Sequence, residues 1–323
     1  MIKKMKLAGI LLGFLSMVTA AAAADYPTRP VNLVVAFTPG GPSDVLARIL
    51  GKKLETVLGQ PFVIENRPGA GGNVAAEQVA RAAPDGYTLL NGNNSILATN
   101  AALYKTINFD AEADFAPVSL IGSQANILVV NPKIPARTMN ELIALVRANP
   151  GKYNFASSGH GAAAHLAGEL FKTAAKVDIV HVPYKGAAPA LQDVIAGHVD
   201  MMFATAASVV GHIRDGQVRA LAVTTPARSA VMPELPTIDE LGLKGFDATT
   251  WHGFVVPAKT PRDIVSTLHH ATVAALADTG VKKQLGDLGV DIVGSTPENF
   301  AAYIKSEIPK WTAIVKASGA TLE

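Results

Sequence analysis

Between residues 31 and 223, short apolar, β-branched runs alternate with stretches whose apolar residues recur every three or four positions, and the breaks between them are brief. Strands alternating with helices of about 10–15 residues require parallel sheets covered by helices on both faces. Residues 31–37 read as the first strand. Val45, Leu46, Ile49, Leu50, Leu54, Val57 and Leu58 then mark one face of a helix that Gly59 stops. Strands are expected over 62–65 and 87–90, with a helix from Asn73 to about residue 83 between them. The pattern returns as helix 139–148, strand 153–156, a helix from about 161, strand 179–183, helix 187–196, strand 199–204, helix 206–215 and strand 218–223.

Two extended apolar segments, 118–130 and 249–256, stand outside this alternation, and each is long enough to pass from one group of strands to the other. Two such crossings predict a two-lobed α/β fold. Residues 25–122 and 252–323 make the first lobe and 123–251 the second, with helices over 261–277 and 297–315 returning to the first. A chain of 323 residues can supply a core to each lobe. It has no cysteine, which excludes a disulfide framework, a thiolate nucleophile and a cysteine-anchored lipoprotein.

The first residues read as a leader. Lys3, Lys4 and Lys6 precede an apolar run over 7–18, and Ala22 and Ala24 satisfy the small-residue cleavage rule, so residues 1–24 are expected to be a signal peptide and Asp25 the mature start. Removing its three lysines leaves 25 Lys and Arg against 26 acids, a net charge of −1. The mature protein is therefore expected to be exported, with no nucleic-acid partner, because a nucleic-acid binder would carry a basic face or run.

In a parallel sheet, ligands bind beyond the carboxyl ends of the strands, where helix N-termini offer free N–H groups and a positive dipole end. Two strand-to-helix turns rich in glycine and hydroxyls occupy such places, one per lobe: Phe37-Thr38-Pro39-Gly40-Gly41-Pro42-Ser43-Asp44 and Ala156-Ser157-Ser158-Gly159-His160-Gly161. Neither turn carries lysine, and the phosphate-loop pattern is absent from the sequence, which removes nucleoside triphosphates from consideration. The glycines of residues 69–72 lack the spacing of a dinucleotide fingerprint. His160 and His165 are five apart where shared ligation on a helix needs four, and His181, His198, His212 and His252 are scattered, so no metal site is expected. Phe155 stands where a nucleophile elbow requires glycine. Asp44, in a first helical turn, suits either dipole compensation or a ligand contact.

Several segments coincide in order with one family. They are Tyr26-Pro27-Thr28-Arg29-Pro30, Pro39-Gly40-Gly41 with Asp44, Glu65-Asn66-Arg67-Pro68-Gly69-Ala70-Gly71-Gly72-Asn73 and Pro84-Asp85-Gly86-Tyr87-Thr88-Leu89. The second lobe adds His165-Leu166-Ala167-Gly168-Glu169-Leu170-Phe171 and Val182-Pro183-Tyr184-Lys185-Gly186-Ala187-Ala188-Pro189-Ala190, and Leu235-Pro236-Thr237 follows. On these motifs the chain resembles the substrate-binding proteins of tripartite tricarboxylate transporters, the Bug family of periplasmic binding proteins.

The resemblance implies a type II Venus-flytrap fold that closes on a small organic anion, usually a carboxylate, and hands it to the membrane permease subunits of a tripartite transporter. It also implies a monomer that uses no cofactor and performs no chemistry. Carried over by position, the ligand-binding residues would be Thr38, Gly40, Gly41 and Asp44 in the first lobe and Ser157, Ser158, Gly159 and His160 in the second, with Thr205 as a side wall. Family members often have proline where Ala36 and Thr38 stand and a hydroxyl residue where Ala162 stands, so both turns depart from the common pattern here. The competing readings are a ligand sensor acting through a membrane partner and an exported enzyme, either a hydrolase built on Ser157 or Ser158 or a metal-assisted one using His160.

Overall fold

The computed structural model describes residues 26–184, 186–319 and 321–322. The leader expected at residues 1–24, and Asp25, lie outside them. The chain opens with β1 (Val31–Val35), α1 (Pro42–Leu58), β2 (Phe62–Asn66), α2 (Asn73–Ala80) and β3 (Thr88–Asn93), followed by a π-helical turn (Ser95–Thr99), the short α3 (Asn100–Leu103) and β4 (Phe115–Gln124). It continues through β5 (Asn126–Val130), α4 (Met139–Arg147), β6 (Asn154–Ser157), α5 (Ala163–Ala175), β7 (Val180–Pro183), α6 (Ala187–Ala196), β8 (Met201–Thr205), α7 (Ala206–Arg214) and β9 (Arg219–Val223). It ends with β10 (Thr250–Pro257), α8 (Arg262–Ala277), α9 (Thr279–Asp287), β11 (Val290–Ile292) and α10 (Pro297–Ser318).

Two sheets result, with strand orders β11-β4-β10-β3-β1-β2 and β7-β6-β8-β5-β9. In the first, β1 runs parallel to β2 and β3, and β10 is antiparallel to β3 and β4. In the second, β6 is parallel to β7 and β8, and β5 is antiparallel to β8 and β9. Burial on both faces explains the unbroken apolar strands. Val31, Leu33 and Val35 pack with Leu46, Leu50 and Leu54 of α1, whereas Val34 faces Ala75, Ala76 and Val79 of α2. Fully burying each such side chain contributes about 1.5–3 kcal/mol.

The lobes are joined where one residue, Ala125, separates β4 of the first sheet from β5 of the second. The expectation that residues 249–256 form the other crossing needs correction. Residues 250–256 lie in β10, whose partners β3 and β4 belong to the first sheet, so the passage is made by the irregular segment between β9 and β10. Buried polar bonds lace the two passages together. Asn126 Nδ2 donates to the Ala248 carbonyl at 2.9 Å and to Thr250 Oγ1 at 3.3 Å, while Thr224 Oγ1 accepts from Asn126 N–H at 3.1 Å. The lobe limits expected at 122/123 and 251/252 fall inside the end of β4 and the start of β10. Among the described residues, five elements have no counterpart in the sequence pattern: a 3-10 turn at Ala70–Gly72, the π-helical turn, α3, α9 and β11.

Candidate ligand-binding site

Each lobe presents a strand-to-helix turn to the same cleft. In the first, β1 delivers Phe37 and Thr38 to a turn in which Gly40 takes the left-handed conformation (φ +81°) that glycine tolerates best. Gly41 caps α1 and Pro42 opens it, with no side chain capping the helix, so its first N–H groups face outward.

Asp44 organises this turn from beneath. Its Oδ2 accepts from Gly40 N–H and Arg48 Nε, both at 2.9 Å, and its Oδ1 accepts from Asn66 Nδ2 at 2.8 Å. The same Asn66 nitrogen donates to the Phe37 carbonyl at 2.9 Å. Burial alone would raise the Asp44 pKa, but the bonds from Arg48, Gly40 and Asn66 outweigh it and hold the carboxyl below its usual range. With both oxygens engaged and only 2% of the residue exposed, Asp44 shapes the turn.

In the second lobe, β6 leads through Ser158, Gly159, His160 and Gly161 to α5, whose N-cap position, Ala162, has no side-chain acceptor. Ser157 is fully buried. Its Oγ accepts from Gly159 N–H at 3.1 Å and lies 2.6 Å from His181 Nε2. A Cβ on Gly161 would stand 2.1 Å from Leu103 Cδ2, so only glycine lets the two lobes meet this closely here.

The cleft between the turns holds about 390 Å³, within the range of small-molecule sites. Phe37, Thr38, Ser95, Asn100 and Tyr104 line it from the first lobe, and Ser158, His160 and Gly161 from the second. No lysine or arginine occurs among its described lining residues. Of the positions singled out from sequence, Thr38, Ser158 and His160 come together on its wall. Gly40, Gly41, Asp44, Ser157 and Gly159 lie in or beneath the same turns, outside that wall. Thr205 stands apart at the end of β8, where its hydroxyl donates to Ser208 Oγ at 3.0 Å. Larger hollows of about 680 and 540 Å³ occur elsewhere, but neither has a glycine-rich turn of each lobe in its lining.

The sequence reading passed over Ser95, Asn100 and Tyr104, and the signal available was local. Asn91 and Asn93 close β3, Asn94 follows, and a π-helical turn forms from Ser95, a feature common at functional sites. The spacing of His160 and His165 and the distance of His181 along the chain gave no sign of a cluster. In fact His160, His165 and His181 cluster, with one ring nitrogen of each within 4.8 Å of the others. The His165 and His181 rings stack at 4.0 Å with 23° between their planes, and His160 meets both edge-on. His165 Nδ1 accepts from Gly161 N–H at 3.0 Å. That bond occupies its lone pair and places the ring proton on Nε2. A stacked pair with one lone pair already committed is a hydrogen-bonding arrangement, unlike the convergent lone pairs of a tetrahedral ligand set.

The chain matches the model of the tripartite tricarboxylate transporter family receptor over residues 46–320. It belongs to that family. An R. palustris protein solved with adipate is 38% identical, with a TM-score of 0.82 over 92% of this chain and all of the other. MatC from Rhodopseudomonas palustris, solved with bound malate, is 35% identical, with a TM-score of 0.79 over 90% of this chain and all of MatC. The periplasmic binding protein BugD is 36% identical, with a TM-score of 0.79 over 92% of this chain and all of BugD. As a receptor of this family, the protein has the two-lobed α/β fold of periplasmic binding proteins.

Proposed function

We propose that the protein is a periplasmic receptor that closes its two lobes on a small organic carboxylate and delivers it to the permease subunits of a tripartite transporter. One observation carries this reading: Thr38 of the β1–α1 turn and Ser158, His160 and Gly161 of the β6–α5 turn line a single cleft, beside two helix N-termini that no side chain caps. Hydroxyls, backbone N–H groups and the positive ends of two helices suit a carboxylate and need no arginine clamp. Gly40, Gly41, Asp44, Ser157 and Gly159 serve the site by shaping the turns, and Thr205 borders the second lobe. The solved relatives with adipate and malate make C4 to C6 diacids the first class to test. The protein works as an exported monomer from which residues 1–24 have been removed, and it uses no cofactor.

The Ser157–His181 separation of 2.6 Å is that of a nucleophile and its base. Ser157 is sealed from solvent, however, and its hydroxyl already serves Gly159, so the pair is assigned to holding the turn. The deciding experiment is a thermal-shift screen of the mature protein against mono-, di- and tricarboxylates, run beside an ester-hydrolysis assay. Ligand at about 100 times Kd adds about 2.7 kcal/mol of stability, a rise of several degrees in Tm. A flat screen together with ester turnover that disappears in Ser157→Ala would replace the receptor reading with the hydrolase.

A further inference from the structure

The second-lobe turn is held at both ends by imidazoles. Phe155 of β6 pairs with His181 of β7 in parallel register, so their rings share one face of the sheet and stack at 5.0 Å. His165, in the first turn of α5, stacks on the His181 ring at 4.0 Å and lies 6.5 Å from the Phe155 ring. From this stack, His181 Nε2 reaches Ser157 Oγ, which accepts from Gly159 N–H, while His165 Nδ1 takes the Gly161 N–H. His160 is the residue between the two tethers, and it is the exposed one that lines the cleft.

We propose that His165 and His181 are positioning residues for the cleft, clamping the two ends of the 157–161 turn so that His160 and the Gly161 backbone stand at a fixed place opposite Thr38. This rests on the receptor reading above. Burial supports it by pushing His165 down to about 4 and His181 to about 3, with His160 and Lys172 nearby adding to the effect. Both rings are therefore uncharged at neutral pH and can stack without repulsion. The remaining charged group facing the stack is Glu169, whose Oε1 lies 3.9 Å from His165 Nε2.

The test replaces the ring while keeping or deleting the acceptor. His165→Asn sets an amide oxygen close to where Nδ1 stands, and His165→Leu removes the acceptor. In the full mature protein, hydrogen exchange at the Gly161 amide should speed up about tenfold in His165→Leu and recover in His165→Asn, as loss of one net hydrogen bond implies. Titration with adipate and with malate should show about a tenfold loss of affinity in the leucine variant and recovery to within about threefold in the asparagine variant. His181→Gln and His181→Leu, read at the Gly159 amide, form a second pair if either His165 variant fails to fold. Unchanged Gly161 exchange in His165→Leu, or an asparagine variant as impaired as the leucine one, would overturn the proposal. If the wild type binds neither diacid, the chosen carboxylates are wrong, and the exchange data still decide the role of the clamp.

Discussion

Asp44, Asn66 and Arg48 show how a receptor can bind an anion beside a buried carboxylate. The negative charge of Asp44 is spent inward on Gly40 N–H, Arg48 and Asn66, so the face turned to the cleft keeps its positive backbone potential. Asp44→Ala strands those donors and should lower stability by about 1–3 kcal/mol in urea titrations while weakening carboxylate binding. Gly41→Val tests the neighbouring position. An added Cβ there meets only the Thr38 carbonyl at 3.4 Å, so the variant should fold normally and lose ligand by obstruction. Unchanged affinity would move the site elsewhere. The buried imidazoles set the acid limit. His165, His181 and His252 are pushed to about 4, about 3 and about 4 from an ordinary value of 6.5. Between those values the unfolded chain binds more protons than the folded one. Stability is therefore complete above pH 6.5 and declines as pH falls toward 4, with His165 alone contributing on the order of 3 kcal/mol. Urea midpoints at pH 7.5, 6 and 5 should fall in order, and constant midpoints would show these rings to be charged or solvated in the fold.

At the scale of elements, α5 begins without a side-chain cap because Ala162 stands at its N-cap in an extended conformation (φ −65°, ψ 156°). Ala162→Ser should therefore stabilise the protein by about 1 kcal/mol, read as a rise in the urea midpoint. Helix α10 is tied down differently. Buried Glu307 accepts from the indole N–H groups of Trp251 and Trp311, both at 2.9 Å, and Lys310 bridges it to Asp247. Glu307→Ala leaves these donors unpaired and should cost about 3–5 kcal/mol by the same measurement. Periodicity located most of the sheet and helix scaffold, because strands such as β1 and helices such as α1 carry their burial pattern in a few consecutive residues. It did not reveal β11, three residues long and defined by pairing with β4, nor the π-helical turn, which follows polar residues with no period. The site divided in the same way. Thr38 and His160 were legible as turn residues after strands, whereas Ser95, Asn100, Tyr104 and the His165–His181 stack arise from contacts between segments far apart in sequence.

For the molecule as a whole, the ligand can favour the closed arrangement only by touching both lobes, and a cleft walled by Thr38 on one side and Ser158 and His160 on the other meets that condition. Small-angle scattering of the mature protein should accordingly show a smaller radius of gyration with the bound carboxylate than without it. Equal values would mean that recognition needs one lobe alone. The crossing at Ala125 bears on how such a movement can occur. With one residue between β4 and β5, and with Asn126 laced to Ala248 and Thr250, this crossing has no slack loop to reel in. Such a joint is expected to act as a flexure, turning through a small twist as a thin web of metal does between two rigid blocks. A linker spliced in at Ala125 would therefore leave two sound halves that no longer remember their alignment, and the loss would fall on capture of the solute and spare the folding of either half.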